Sequence, residues 1–308
     1  MPNQTTNHLL LIRPTNFGYN EETAHNNAFQ SKPQASPAQI QEQALQEFDQ
    51  LVALLQSKDI QVTVIQDSAT PVKPDAIFPN NWISFHANGT LVTYPMWSKN
   101  RRLERQASIV EQMKQQFGFQ EVLALEDWEE QQLFLEGTGS MILDREHKIC
   151  YACTSPRTDE QVLNQFCEVM GYQKVLFQSV DAQGQEIYHT NVMMALGEDF
   201  VVICLDSVPD AGQKQQLLQS FQQTGKTVVE ISLEQVKAFA GNMLQVHNEQ
   251  GDRFLLLSQQ AYESLTPAQM TTLEQYTNLL YSPIPTIETL GGGSVRCMLA
   301  EVFMPSAE

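Results

Sequence analysis

With 42% hydrophobic and only 18% charged residues, this chain of 308 residues has the composition of a folded globular protein, not of a disordered one. Its 18 Lys and Arg residues against 36 Asp and Glu residues give a net charge of −18, which argues against nucleic acid and anionic membranes as partners. No apolar run is long enough to span a bilayer, and the first residues do not resemble a signal peptide. We therefore expect a soluble cytoplasmic protein that acts on a small molecule.

The first predicted elements are a buried strand, a loop and a helix. Residues 8–13 form a short apolar run that ends at a proline, and an amide-rich loop follows over 15–27. A helix is expected over 37–57, with Ser36 as its N-cap. The later predicted helices end near 116 or cover 159–170, 211–224, 233–239 and 267–278. The later predicted strands cover 60–65, 82–85, 90–94, 121–125, 133–135, 141–144, 149–153, 174–178, 192–195, 200–204, 227–231, 244–247, 254–257 and 298–303.

These elements recur in a fixed order. The dipeptide Asn88-Gly89 between two apolar runs predicts a hairpin, and a succession of strand, loop, hairpin and helix is repeated about five times without a long linker. Such recurrence is typical of repeat architectures. We expect one α/β domain spanning 1–308, in which polar residues at the mouths of successive hairpins converge on one axis.

The five cysteines are odd in number and scattered, which favours reduced thiols over a disulfide framework. Cys150 and Cys153 form a CxxC motif, but no second CxxC or paired histidines complete a zinc site. The carboxylates and histidines do not group at metal-ligand spacing, and no phosphate-binding glycine loop precedes a helix. The sequence therefore predicts neither a metal nor a cofactor.

Cys297 follows three consecutive glycines, Gly291, Gly292 and Gly293. Each glycine costs about 1 kcal/mol inside a helix and adds nothing to a core, so we expect the three to form a loop that lets the backbone approach a ligand. Cys297 would then lie where this loop enters a final strand. A half-buried structural cysteine is the alternative on position alone.

Four motifs occur in the order that is typical of one known family: Phe78-Pro79-Asn80-Asn81, Leu135-Glu136-Gly137-Thr138-Gly139, His189-Thr190-Asn191, and the three glycines before Cys297. Together they resemble the guanidine-modifying, or pentein, superfamily of arginine deiminases, dimethylarginine hydrolases and amidinotransferases, over nearly the whole chain. The sequence is most similar to the amidinotransferase-like branch of bacterial citrulline-utilisation hydrolases. This resemblance implies a five-bladed α/β-propeller with pseudo-fivefold ββαβ repeats. It also implies that Cys297 is the nucleophile, His189 a general acid/base and Glu136 a carboxylate that orients the substrate.

The chemistry of these three residues agrees with the implied roles. At an ordinary thiol pKa near 8.5, only about 3% of Cys297 would be thiolate at pH 7, so the thiol needs help from an imidazolium or a cationic substrate. His189 alone among the histidines stands in a polar turn between predicted strands, which makes it the candidate. The alternatives are a histidine at the edge of the core and, for Glu136, a solvated carboxylate at a hairpin tip.

Asn81 and Asn191 suggest the substrate. Arginine-acting members of the family are similar in carrying aspartates at these positions, and carboxylates suit a cationic guanidinium that only donates hydrogen bonds. A neutral ureido group would leave two buried carboxylates unpaired, whereas asparagine offers both a donor and an acceptor. We predict that Asn81 and Asn191, with Phe78 and Asn80 of the same motif, bind the ureido group of L-citrulline. Hydrolysis through a covalent cysteine intermediate would give ornithine, ammonia and carbon dioxide.

The α-carboxylate and α-amine of an amino acid also need binding groups. Arg157 resembles the carboxylate-binding arginine of the family, and Arg102 is a second candidate, although it also fits a solvated helix start. Asn16 and Phe17 in the amide-rich loop would cover the far end of the substrate. Asp75 is left open as either a substrate contact or a cap at the entry of a strand.

Three other functions remain open on the sequence. The same site could serve an arginine deiminase or dihydrolase, or an amidinotransferase. A noncatalytic pentein that only binds a partner, similar to the anti-association factor of ribosomes, is less consistent with an aligned nucleophile and base. The sequence also leaves the oligomeric state open, a homodimer or larger homo-oligomer included.

Overall fold

The computed structural model describes residues 3–27, 29–32 and 34–305, and within them fifteen strands form five sheets of three strands each. The strands are β1 (His8–Arg13), β2 (Gln61–Gln66), β3 (Ile83–Phe85), β4 (Thr90–Thr93), β5 (Glu121–Ala124), β6 (Met141–Asp144), β7 (Ile149–Cys153), β8 (Gln173–Phe177), β9 (Met194–Leu196), β10 (Phe200–Ile203), β11 (Thr227–Glu230), β12 (Leu244–His247), β13 (Arg253–Ser258), β14 (Asn278–Ser282) and β15 (Ala300–Glu301).

Each sheet has the same construction. Two strands form an antiparallel hairpin, and a third strand returns through helical chain to pair in parallel with the second, giving the orders β3-β4-β5, β6-β7-β8, β9-β10-β11 and β12-β13-β14. The remaining sheet, β15-β1-β2, takes its first strand from the end of the chain. The mixed α/β fold therefore fits the predicted pseudo-fivefold ββαβ repeat.

The helices lie mainly between the second and third strands of each unit. They are α1 (Pro37–Gln56), α2 (Lys99–Arg102), α3 (Ala107–Phe117), α4 (Gly137–Ser140), α5 (Glu160–Met170), α6 (Ala211–Gln223), α7 (Leu233–Lys237), α8 (Gln259–Ser264), α9 (Pro267–Leu273) and α10 (Pro285–Gly291). Short 3-10 helices cover Thr23–His25, Pro79–Asn81, Glu126–Gln131, Thr190–Val192, Leu205–Ser207 and Val295–Met298. No helix of the described residues has both the length and the apolar character needed to cross a membrane.

Local sequence explains how these elements begin and pack. Ser36 and Gln39 form a reciprocal capping box at the start of α1, as the sequence predicts. Gly89 turns the β3-β4 hairpin with φ of +86°, which glycine adopts without strain. One face of α1 packs on the buried strand β1, through a cluster that includes Leu9, Leu11, Ile40, Ala44, Phe48, Leu51 and Leu55.

The structure differs from the predicted elements in four places. The predicted strand 133–135 is reduced to one isolated bridge at Leu135, and the helix expected to end near 116 is broken between α2 and α3. The helix predicted over 267–278 ends at Leu273, so that strand β14 and helix α10 follow it instead of a loop. Proline at 285 can start a helix because its missing N–H is not needed there.

A short segment precedes the first strand of every sheet, and these segments carry the predicted chemistry. They are Pro79–Asn81 before β3, α4 before β6, Thr190–Val192 before β9, residues 239–243 before β12 and Val295–Met298 before β15. Contacts join α4 to the turns at 79–81 and 190–192, and join the turn at 79–81 to the one at 295–298. Equivalent positions in the repeat thus supply neighbouring side chains.

Candidate active site

Two of these segments, through Asn81 and Cys297, contribute to the wall of a narrow pocket with a volume of about 10 Å³, which is about the space one water molecule needs. Its walls are buried and carry both charges. The lining residues are Thr23, Asn27, Asp75, Phe78, Asn81, Arg101, Arg157, Tyr188, His189, Gly291, Gly292, Gly293 and Cys297.

Cys297 reaches this pocket because glycines end the preceding helix. Gly291 closes α10 and Gly292 takes the left-handed conformation with φ of +63°, so the three glycines are a helix end and a turn instead of the predicted open loop. A Cβ at Gly293 would lie 3.1 Å from the ring of Phe78 and 3.3 Å from Cβ of Cys297. The turn then continues into the 3-10 helix that holds Cys297, whose N–H donates to the Ser294 carbonyl at 3.0 Å.

Glu136 and His189 form a buried pair beside the pocket. Nε2 of His189 lies 2.8 Å from Oε2 of Glu136, and Nη1 of Arg157 lies 3.5 Å from the same oxygen. Burial opposes ionisation of Glu136, but Arg157 and His189 hold its pKa down at about 2. Burial lowers the pKa of His189 to about 4, although Glu136 acts in the opposite direction. At neutral pH the pair is therefore a carboxylate beside a neutral imidazole.

This pairing settles which imidazole nitrogen can act as a base. The carboxylate of Glu136 accepts the Nε2–H of His189, so the second nitrogen, Nδ1, carries the lone pair. A Cβ added at Gly139 would come within 2.8 Å of Nδ1 and within 2.4 Å of Nδ2 of Asn81. Glycine at 139 thus leaves room for the base and the amide to face the same point.

The amide of Asn81 has a fixed orientation. Nη1 of Arg101 donates to Oδ1 of Asn81 at 2.8 Å, and guanidinium groups have no acceptor, so Oδ1 must be the atom that faces Arg101. Nδ2 is the other end of the amide and finds no hydrogen-bond partner among residues 3–27, 29–32 and 34–305. Asn81 lines the pocket, and its Nδ2 is a buried donor that lies against Gly139.

Asn191 occupies the equivalent turn but has a different neighbour. Its Nδ2 lies 3.6 Å from Sγ of Cys297, and its side chain is fully buried behind the sulfur instead of lining the pocket. Burial raises the pKa of the Cys297 thiol above its usual value. Asn191 thus touches the sulfur, whereas we predicted that it touches the substrate.

Asp75 and Arg157 supply opposite charges at the outer end of the pocket. Oδ2 of Asp75 accepts from Nδ2 of Asn20 at 2.7 Å and lies 3.8 Å from Nε of Arg101. Its Oδ1 is buried and meets no hydrogen-bond partner within the described part of the chain, and burial raises the pKa of this carboxyl. The guanidinium of Arg157 lies 4.7 Å above the ring centroid of Tyr188.

A loop closes the pocket on the solvent side. Nε of Arg157 donates to Oδ1 of Asn26 at 3.1 Å, and Nδ2 of Asn27 reaches the carbonyl of Gly292 at 3.3 Å. The N–H of Ser31 donates to the Thr289 carbonyl at 2.8 Å. The side-chain amide of Asn26 therefore occupies the guanidinium that was predicted to bind a substrate carboxylate.

Four predicted substrate contacts lie elsewhere. Arg102 donates to the Met96 carbonyl and pairs with Glu129, pointing away from the pocket. Asn16 is bonded to the Ala69 carbonyl on the surface, and Phe17 belongs to the buried core beside Gly291. Asn80 is fully buried, and its backbone carbonyl accepts from Oγ1 of Thr138. Phe78, by contrast, does line the pocket.

Sequence reasoning missed Arg101 and Asn242. Arg101 is the neighbour of the predicted Arg102 in α2, and it is Arg101 that donates to Asn81. Asn242 lies 3.3 Å from Sγ of Cys297 through its Nδ2, and its place before the first strand of its unit is the signal that could have identified it. No group of three or more His, Cys, Asp or Glu side chains in the described residues is arranged to hold a metal.

Comparison with known proteins places this site in context. The family model described as N,N dimethylarginine dimethylhydrolase, eukaryotic, matches residues 13–304. No curated protein matches the sequence. The unliganded structure of ArgZ, an arginine dihydrolase from the ornithine-ammonia cycle in cyanobacteria, aligns with a TM-score of 0.75 and 17% identity, covering 97% of this chain and 41% of that one. The present chain thus spans less than half of full-length ArgZ.

Two further structures cover shorter proteins. The N-terminal domain of ArgZ bound to product aligns with a TM-score of 0.74 and 17% identity over 97% of this chain and 98% of that domain. A dimethylarginine dimethylaminohydrolase variant with an S-methyl-L-thiocitrulline adduct gives a TM-score of 0.65 and 15% identity, over 96% of this chain and 99% of that one. At such low identity these structures show the fold, and the family model shows the family. The chain belongs to the N,N dimethylarginine dimethylhydrolase family, whose members are hydrolases acting on C–N bonds within the guanidine-modifying, or pentein, superfamily.

Proposed function

We propose that this protein hydrolyses the ureido C–N bonds of L-citrulline, with Cys297 as nucleophile, His189 as general acid/base and Glu136 as the group that fixes the imidazole. The observation that supports citrulline is that Asn81, a residue of the pocket wall, keeps a buried Nδ2 that finds no hydrogen-bond partner within the described part of the chain. A guanidinium has donors only and would leave this buried donor unsatisfied, at a cost of about 1–3 kcal/mol. The carbonyl oxygen of a ureido group accepts from it.

The same donor suits the transition state. As sulfur attacks the ureido carbon, negative charge grows on the ureido oxygen, and a fixed N–H donor stabilises that charge more than it stabilises the neutral oxygen. Asn81 is held for this by Arg101, which places a positive charge directly behind the amide. The site therefore favours a substrate whose carbon carries an oxygen.

In each half of the reaction His189 carries a proton between the groups that react. Nδ1 of His189 takes the proton of the Cys297 thiol, and the thiolate forms a bond to the ureido carbon. The tetrahedral intermediate collapses by breaking one C–N bond, and His189 returns the proton to the departing amine. Water, deprotonated by the same nitrogen, attacks the carbonyl carbon of the thioester, the C–S bond breaks, and His189 returns this proton to the sulfur of Cys297. The resulting carbamate decomposes, so that citrulline and water give ornithine, ammonia and carbon dioxide.

The amino-acid end of the substrate meets Arg157 and Asp75. Arg157 is a two-pronged donor suited to an α-carboxylate, and the free Oδ1 of Asp75 is suited to an α-ammonium group. The pocket of about 10 Å³ is far too small for citrulline, so the loop that carries Asn26 and Asn27 must move for binding. In this proposal the five sheets are blades of one closed propeller domain over 1–308, with the pocket on its axis.

Hydrolysis of arginine by the same residues is the second candidate. It is supported by Asp75, whose free carboxylate oxygen could receive a cationic group, and by the likeness to ArgZ, a cyanobacterial arginine dihydrolase. A dihydrolase must also attack a ureido carbon in its second half, so Asn81 would serve it there. The two functions differ in one step: only an arginine dihydrolase must also attack a guanidino carbon productively.

The test is to incubate the purified protein separately with L-citrulline and L-arginine and to quantify ornithine, citrulline and ammonia. We expect ornithine from citrulline, and no product from the Cys297→Ala variant, whose loss should exceed about four orders of magnitude. Product from arginine alone would overturn the proposal and support the second candidate. No product from either substrate would favour a binding protein.

A further inference from the structure

We propose that Asn242 is a further catalytic residue, whose side-chain N–H donates to the Cys297 thiolate and stabilises it. This inference rests on the proposed function in one respect only, the role of Cys297 as nucleophile. The family comparison and the predicted motifs do not assign any role to Asn242. Three independent features of the structure support it: the geometry at the sulfur, the way the backbone delivers the side chain, and its place in the repeat.

At the sulfur, Asn242 is the nearer of two amide donors. Its Nδ2 lies 3.3 Å from Sγ of Cys297, compared with 3.6 Å for Nδ2 of Asn191. The same Nδ2 donates to the backbone carbonyl of Asn191 at 2.9 Å. A carbonyl can only accept, so the Nδ2 end of the amide faces Asn191, and Nδ2 is also the amide atom nearer to the sulfur, since Oδ1 of Asn242 lies 3.6 Å from Sγ. Asn242 is 1% exposed, and water does not compete for these bonds.

The backbone before Asn242 is shaped to deliver this side chain. Phe239 takes the left-handed conformation with φ of +61°, which is uncommon for an aromatic residue, and its carbonyl accepts the N–H of Asn242 at 2.8 Å. A Cβ at Gly241 would lie 2.3 Å from the carbonyl oxygen of Val192. The turn can therefore press against the segment that carries Asn191 only because residue 241 is glycine.

Every other unit also contributes a residue from the chain just before the first strand of its sheet. Asn81, Asn191 and Cys297 lie within the short segments already described, and Glu136 immediately precedes α4. Residues 239–243 are that segment for the sheet β12-β13-β14, and Asn242 is its polar residue. With Asn242 included, all five units contribute to one site.

The other polar side chains near the sulfur form hydrogen bonds with other groups, so stabilisation of the thiolate depends on the amide donors. Arg296 donates to the Leu299 carbonyl and to Glu301, and the hydroxyl of Tyr188 donates to the Gly292 carbonyl. His189 uses Nε2 for Glu136 and is neutral near pH 7. A neutral ureido substrate brings no positive charge of its own. Hydrogen bonds from amides to a thiolate are charge-assisted and stronger than those to a neutral thiol.

The test is a pH titration of the Cys297 thiolate by its ultraviolet absorbance, with the spectrum of Cys297→Ala subtracted to remove the other cysteines. In Asn242→Ala we expect the thiolate fraction at a fixed pH below the midpoint to fall about tenfold, which is a rise of about one pKa unit. Asn242→Asp keeps the shape of the side chain and adds a negative charge, so its midpoint should rise further. If Asn242→Ala does not fold, the thiolate titration of Asn242→Asp tests the proposal instead.

The matched control is Asn278→Ala, an exposed amide on the outer strand β14, which should titrate as the unaltered protein does. Thiolate titrations of both Asn242 variants that coincide with that of the unaltered protein would overturn the proposal. The titration needs no substrate, so it is independent of the citrulline assay. A shifted thiol in a protein that does not hydrolyse citrulline would retain the role of Asn242 and remove the proposed substrate.

Discussion

The turns Pro79–Asn81 and Thr190–Val192 occupy equivalent places in two repeat units, and both are closed by the same backbone hydrogen bond. The N–H of Trp82 donates to the Pro79 carbonyl and that of Met193 to the Thr190 carbonyl, both at 3.1 Å. The first turn carries two buried asparagines, Asn80 and Asn81, ahead of β3, and the second carries Asn191 ahead of β9, at the place that Asn80 has in the first. The two amides nevertheless act differently, because Asn81 faces Arg101 and Asn191 faces Cys297.

The difference shows that the partner of one end of an amide determines what the other end offers. Arg101 takes the oxygen of Asn81 and leaves an N–H for the substrate, whereas Asn191 directs its N–H to the nucleophile. In the proposed function, one turn therefore recognises the ureido oxygen and the other supports the sulfur. We therefore expect that replacing Arg101, the partner, damages the protein more than replacing Asn81, the amide.

The largest effect is expected from Arg101→Ala. Arg101 forms a buried ion pair with Glu104, with Nε 2.9 Å from Oε1, and it is the cation nearest Asp75. Its removal leaves buried carboxylates without a partner and should lower the free energy of unfolding by about 3–5 kcal/mol. Urea unfolding measures this loss. The control is Arg102→Ala, whose partly exposed pair with Glu129 should contribute no more than about 1 kcal/mol. Equal losses would contradict the assignment of Arg101 to the site.

The substitution Asn81→Asp removes the Nδ2 donor and keeps the shape of the side chain. The carboxylate would pair with Arg101 and present only acceptor atoms to the pocket, so kcat/KM for citrulline should fall about 10²–10³-fold, as when one oxyanion donor is lost. Steady-state kinetics with citrulline measures this fall, and Asn16→Asp on the surface is the matched control. Unchanged turnover in Asn81→Asp would remove our explanation of the substrate.

Asn191→Asp should have a smaller effect that depends on pH. A carboxylate at 3.6 Å from Sγ raises the pKa of the Cys297 thiol, and turnover near pH 7 should fall about tenfold. Raising the pH restores the thiolate, so the deficit should shrink in alkaline buffer. The ratio of the two kcat/KM values across a pH series tests this. A deficit that is constant with pH would show that Asn191 contacts the substrate, as the sequence predicts.

A gradual effect, spread over several pH units, concerns the imidazole that begins the second turn. The pKa of His189 is lowered from 6.5 to about 4, so the unfolded chain binds more protons between these values, and acidification through this window favours unfolding. The pKa of Glu136 is lowered from 4.5 to about 2, so its contribution is present above 4.5 and is lost as the pH falls toward 2. Each group should cost at most about 1.4 kcal/mol per pH unit in its window. Urea unfolding of Glu136→Gln, compared with the unaltered protein, should show a shallower loss below pH 4.5.

Sequence reasoning could predict the repeat and the central residues because each rests on a local pattern. Glycines, hairpin signals and apolar runs mark the units, and the order of the motifs brought Glu136, His189 and Cys297 to one place. The side chains that support them depend on tertiary contacts. Whether Arg101 or Arg102 turns inward depends on how the short helix α2 packs, and no local signal in the sequence specifies that packing.

The amide-rich loop shows another limit. Its asparagines look alike in sequence, yet Asn16 lies on the surface, whereas Asn26 and Asn27 close the pocket. Local turn chemistry is the same for all three, and only long-range partners separate them. The strand β14 was missed for a related reason. The pattern of the residues before it predicts a helix up to 278, whereas the helix ends at Leu273 and β14 begins at Asn278.

The bond between Asn26 and Arg157 has a consequence for affinity. If Arg157 binds the substrate carboxylate as proposed, that carboxylate must displace an amide oxygen that the guanidinium already holds, and binding is an exchange between an internal and an external ligand. The apparent dissociation constant then equals the intrinsic one divided by the fraction of molecules in which Arg157 is free. For each 1.4 kcal/mol that the internal bond contributes, apparent affinity is about tenfold weaker. The protein therefore sets the substrate concentration to which it responds partly through a residue that takes no part in the chemistry.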